Sequence, residues 1–146
     1  MSHFCLIVAT QTRDGARDAL FPFWRDDRDE GPAQPHFVFI EDKHADINPS
    51  TSRRGYWRNP KGKWDAWTTG GQWTGLFAGD DQIEAAALAP LLQRDPHILA
   101  PVYATLVDGD WREIDRRNSS SWPREVETSL LALPPPTWLT VVDCHC

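Results

Sequence analysis

Two histidines stand near opposite ends of the chain, His3 in the opening run HFCLIVAT and His145 in the closing Asp143-Cys144-His145. If the strands carrying them are antiparallel neighbours, the two imidazoles meet. Set on opposite sides of a phosphodiester, such a pair suits acid–base cleavage, because one ring takes a proton from the nucleophile while the other protonates the leaving oxygen. Period-two alternation along a strand puts Asp143 on the same face as His145, where its carboxylate can orient an imidazole. Lys63 offers a cation for charge developing on the phosphoryl oxygens. This chemistry calls for no metal and no cofactor. The same ends also permit a metal alternative, a zinc set of three cysteines and one histidine drawn from His3, Cys5, Cys144 and Cys146. The short HxC and CxC spacings are unusual for such a site.

The segment Arg53–Trp73, RRGYWRNPKGKWDAWTTGGQW, is a second centre of chemistry. It holds five of the fifteen lysines and arginines, interleaved with Tyr56, Trp57, Trp64, Trp67 and Trp73. Cations neutralise phosphate and aromatic faces stack bases, so the mixture points to a nucleotide ligand. Trp64, Trp67 and Trp73 would wall the base sites, with Arg58 and Asp65 in the same ligand-binding set. Gly70 and Gly71 would let backbone N–H groups approach an anion closely. The plainer alternative is a solvated basic loop whose tryptophans turn inward. Eight tryptophans among 146 residues sharpen the question, since an indole brings a large apolar area and an N–H that needs a partner.

The elements that must position these residues read as follows. His3–Thr10 is apolar nearly throughout, as in a strand covered on both faces. Thr12–Trp24 has a weak helical pattern broken at Pro22, Asp26–Pro35 is a charged loop, and His36–Glu41 is a strand. Residues 42–71 show no period and predict a long irregular excursion. Gln72–Phe77 predicts a short strand, and Asp80 and Asp81 predict N-caps for a helix over Gln82–Gln93 that Pro90 disrupts. Val102–Val107, the turn Asp108-Gly109 and Asp110–Ile114 predict a hairpin. Ser121 predicts the cap of a helix over Arg124–Leu133, and Thr137–His145 a final strand. The order gives a single α+β domain: a mixed or antiparallel sheet with two to three helices on one face, first and last strands adjacent.

Composition narrows the partners. A net charge of −6 and a pI of about 5.2 disfavour long nucleic acid, whose binding is driven by phosphate neutralisation. No apolar run approaches a membrane span, and Met1–Thr10 does not read as a signal peptide. Three cysteines, an odd number at the two ends, fit a reducing cytoplasm. A pocket enclosing a dinucleotide would favour a homo-oligomer.

The stretch Asn59-Pro60…Lys63-Trp64-Asp65…Trp67…Gly70-Gly71-Gln72-Trp73-Thr74-Gly75 resembles a signature of small phage proteins, NPxxKWDWYxxGGRWxGF. Ser2-His3-Phe4 and Val142-Asp143-Cys144-His145 resemble the same family's two ends. Here Ala66 and Thr68 interrupt the aromatic cluster, and Gln72 stands where the pattern has arginine. The resemblance implies a phage counter-defence protein of the anti-CBASS type, acting on a cyclic dinucleotide immune signal in the bacterial cytoplasm. Cleavage by His3, His145, Lys63 and Asp143 is the leading expectation. The alternatives are a sponge that sequesters the nucleotide and an inhibitor that binds a host protein through its tryptophans.

Overall fold

The computed structural model describes residues 2–25 and 36–146; the charged loop expected over Asp26–Pro35 lies outside them. In chain order the elements are β1 (His3–Thr10), α1 (Ala16–Leu20), β2 (Val38–Glu41), β3 (Ile47–Asn48), β4 (Arg53–Arg58), β5 (Ala66–Thr69), β6 (Gln82–Glu84), α2 (Leu88–Arg94), β7 (Val102–Val107), β8 (Asp110–Glu113), α3 (Trp122–Leu131) and β9 (Trp138–His145). They form two compact units, one of Met1–Ala19 with Trp67–His145, the other of Leu20–Ala66 with Cys146.

The first unit is built on a six-stranded mixed sheet of order β5-β9-β1-β7-β8, with β6 also pairing β9. The class is α+β, and the first and last strands are adjacent. β1 runs parallel to β7 and antiparallel to β9. Cys5–Val8 of β1 are fully buried on both faces, which explains the unbroken apolar run: a central strand has no wet side to mark with polar residues. On one face Cys5, Ile7, Leu139 and Val141 pack with residues of α2 and α3. The α3 face is Trp122, Val126 and Leu130 at helical spacing. The indole N–H of Trp122 donates to the carbonyl of Val102 at 2.8 Å, so this tryptophan is a satisfied core residue.

The hairpin β7–β8 turns at Asp108 and Gly109, both with positive φ (50° and 76°), as a two-residue turn of this type requires. Three expectations are corrected. Gln82–Glu84 is not the start of a helix but a strand paired with β9, and α2 begins only at Leu88. Pro90 therefore falls in the first turn, where its missing N–H has no intrahelical partner to lose. Ser121 makes no side-chain cap; Arg116–Ser121 is a 3-10 stretch leading directly into α3. Gln72–Phe77 is a 3-10 turn and loop, because Gly70, Gly71 and Gly75 all hold left-handed φ (72°, 53° and 78°).

The second unit has a three-stranded antiparallel sheet of order β2-β4-β3. Residues 42–71 are thus not irregular throughout, since β4 crosses their middle. Arg53 pairs with Glu41 and lies over the Phe39 ring at 4.9 Å. Gly55 permits the close approach of β2: a Cβ there would sit 2.1 Å from the carbonyl oxygen of Ile40. Asn59 is buried and donates to the carbonyls of Pro22 and Trp24 at 2.8 and 2.7 Å, while accepting from the Lys61 N–H at 3.0 Å.

Candidate functional site

The β1–β9 register places His3 directly opposite His145, and Cys5 opposite Asp143. In an antiparallel pair, opposed residues share a face and residues two apart along a strand share it too. His3, His145 and Asp143 therefore converge. The imidazole centroids lie 3.9 Å apart at 52°. His3 Nδ1 is 2.9 Å from Asp143 Oδ1, and His145 Nε2 is 4.0 Å from the same oxygen. The histidine side chains keep 30% and 24% exposure, enough to meet a solute, whereas Asp143 is buried.

The second carboxylate oxygen is held from the loop after β5. Gly70 donates its N–H to Val141 of β9 at 2.9 Å, and the left-handed backbone at Gly70 and Gly71 then turns the Gln72 N–H onto Asp143 Oδ2 at 3.0 Å. A Cβ on Gly71 would lie 2.4 Å from the Asp143 side chain. The glycine pair does approach an anion, but that anion is the chain's own. Asp81 beside it accepts from the Gly75 N–H at 2.6 Å and the Thr74 hydroxyl at 3.1 Å, and a Cβ on Gly70 would lie 2.6 Å from it.

Burial alone would raise the Asp143 carboxyl. The Gln72 N–H, the hydrogen bond from His3 and the nearby imidazoles outweigh it and hold the carboxyl below its ordinary value. Asp143 is thus ionised near neutrality and can only accept, so His3 Nδ1 carries the proton between them. That leaves the His3 Nε2 lone pair free in the neutral ring. Cys5, buried beside Asp143, is pushed the other way, to about 12, by burial and then by the Asp143 charge. Without a metal it stays a thiol, unsuited as a nucleophile. Cys144 pairs with Phe4 and so faces away from His3 and Cys5. The three-cysteine zinc set does not assemble; the metal-type cluster among the described residues is His3, Asp143 and His145.

The remaining expected site residues divide between the two units. In the first, Trp67 is half-buried on β5 and Trp73 packs against the core. In the second, Trp64 is buried, with its indole N–H on the Leu20 carbonyl at 3.0 Å. Asp65 pairs with Arg25 at 3.5 Å, and the Lys63 N–H donates to the Phe23 carbonyl at 2.7 Å. Arg58 lines a small cleft of about 220 Å³ with Arg25, Tyr56 and Gly62. Two participants escaped the sequence reading, the Gln72 main-chain N–H and the Asp81 carboxylate. Only the Gly-Gly pair signalled the first, and its partner was misassigned. A larger groove between the β7–β8 hairpin and α3 mixes Arg112 and Arg124 with Asp110 and Glu125; it shares no residue with the triad.

No helix among the described residues is long and apolar enough to cross a membrane. No protein-family model, curated protein or solved structure matches the chain.

Proposed function

We propose that the His3–Asp143–His145 triad is an acid–base centre that cleaves a phosphodiester of a small cyclic nucleotide, and that the protein serves a phage by destroying such an immune signal. The observation that carries the reading is the cross-strand meeting of His3 and His145, with Asp143 bonded to the first and within 4.0 Å of the second. Asp143 fixes the His3 tautomer, so Nε2 takes the proton of the attacking hydroxyl as the new P–O bond forms. Protonated His145 gives its proton to the departing oxygen as the old P–O bond breaks. The rings touch each other, so the phosphate sits over their exposed edges rather than between them.

Metal-stripped protein incubated with a panel of cyclic dinucleotides, with products resolved by chromatography and mass spectrometry, tests this. Linear products are expected, and His3→Ala or His145→Ala should lower turnover by about 10²–10⁴-fold with ligand affinity nearly kept. Equal losses of affinity and turnover would contradict the acid–base roles. Intact nucleotide, held by the protein and released only on heating, would replace cleavage with sequestration.

A further inference from the structure

We infer that His3, Asp143 and His145 together form a binding site for a divalent transition-metal ion of the zinc class. The inference stands on the donor atoms alone and does not rest on the phosphodiesterase reading. Three ligand atoms, one from each residue, all lie within 4.8 Å of one another. An ion bound tetrahedrally at roughly 2.1 Å needs donors about 3.4 Å apart. The separations from Asp143 Oδ1, 2.9 Å to His3 Nδ1 and 4.0 Å to His145 Nε2, bracket that value. With every separation within 4.8 Å, movement of the two partly exposed rings by on the order of an ångström brings all three donors onto one ion.

Two imidazoles and one carboxylate select the ion's class. Magnesium and calcium take oxygen ligands, whereas imidazole suits zinc, cobalt, nickel and iron. The supporting contact is already present: Asp143 Oδ2 stays on the Gln72 N–H while Oδ1 meets the ion, the kind of outer partner that orients a metal-binding carboxylate. On binding, the His3 ring moves its proton from Nδ1 to Nε2 and gives the Nδ1 lone pair to the metal. Three protein ligands leave further positions for water or a substrate oxygen. An ion seated there also removes the imidazole lone pairs from proton transfer.

Cobalt(II) titrated into metal-stripped protein reports the site without any turnover. Saturation at one ion per chain is expected, with visible d–d absorption and no thiolate charge-transfer band. His3→Ala and His145→Ala should each weaken binding by more than the roughly 100-fold that loss of a supporting residue costs. Near-ultraviolet circular dichroism checks that these variants stay folded, and Cys146→Ser should bind like the parent. Absence of the d–d band, its persistence in both histidine variants, or a charge-transfer band lost in Cys146→Ser would overturn the inference. The nucleotide assay separates this outcome from the preceding one. Zinc that raises turnover, while cobalt binding depends on the histidines, would confirm the metal site and overturn the metal-free mechanism.

Discussion

Replacing Gly71 with alanine probes the geometry that holds Asp143, and Gly109→Ala supplies its control. Both glycines have left-handed backbone, φ of 53° and 76°, where an L side chain costs on the order of 1–2 kcal/mol. Both substitutions also lose the same unfolded-chain freedom. They differ in space. A Cβ at Gly109 meets nothing within 4 Å, whereas at Gly71 it lies 2.4 Å from both Cβ and Oδ2 of Asp143. Either the 71–73 turn or Asp143 must move, and the Gln72 N–H bond to the buried carboxylate is lost. A hydrogen bond to a charged group is worth about 1.5–3 kcal/mol. Gly71→Ala should therefore destabilise the protein by about 2 kcal/mol more than Gly109→Ala. Urea unfolding at neutral pH, followed by tryptophan fluorescence, measures both; at this chain length the gap corresponds to about 4–8 °C in Tm. Agreement of the two variants within about 0.5 kcal/mol would refute the argument that Gly71 is required by Asp143.

Two more expectations follow from buried polar groups. The Cys5 thiol is raised from 9.0 to about 12 in the folded chain, so stability is fully present below pH 9 and falls as pH rises towards 12, where the unfolded chain ionises first. The loss approaches roughly 4 kcal/mol across that window, and chemical denaturation of Cys5→Ala should show a flatter alkaline limb. Asn59→Ala leaves the Pro22 and Trp24 carbonyls and the Lys61 N–H without the side chain that joins them. It should destabilise the second unit by about 2–4 kcal/mol, read as faster amide exchange within Leu20–Ala66.

The triad was legible because its strands are extreme in composition. HFCLIVAT and TWLTVVDCH are short, apolar and rich in β-branched residues, which favours strands over helices, and period two then fixes which side chains share a face. What adjacency could not show was how close the rings come, 3.9 Å between centroids, which turns a pair flanking a substrate into a pair in contact. β4 was missed because RRGYWR has a charged residue at each end and no alternating face; two of its three arginines serve structure within their own unit, Arg53 on Glu41 and Arg54 on the Ala45 carbonyl. Asp81 reads as a helix cap in isolation, yet its carboxylate closes the Thr74–Gly75 turn. Local propensity cannot rank these two uses of one aspartate, because the choice is made by pairing β6 with β9. Trp64 and Trp122 meet the ordinary need of a buried indole, a carbonyl for its N–H, which clustering in the sequence does not distinguish from a ligand wall.

His3 and Asp143 are 140 residues apart in the chain, and β9, which carries Asp143 and His145, lies between β1 on one edge and β5 and β6 on the other. Closing a loop of that length costs about 4 kcal/mol of chain entropy, so the β1–β9 pairing is the kind of non-local contact that slows folding as a whole. His3 and His145 form the outermost pair of the β1–β9 ladder, so their contact opens by local fraying while the inner pairs stay closed. Parting the inner pairs wets Leu139, Val141 and Val142, all fully buried, so amide exchange there should need a far larger opening than exchange at His145. Asp143, held by the Gln72 N–H, is thus the fixed side of the triad, and the two rings are its adjustable side.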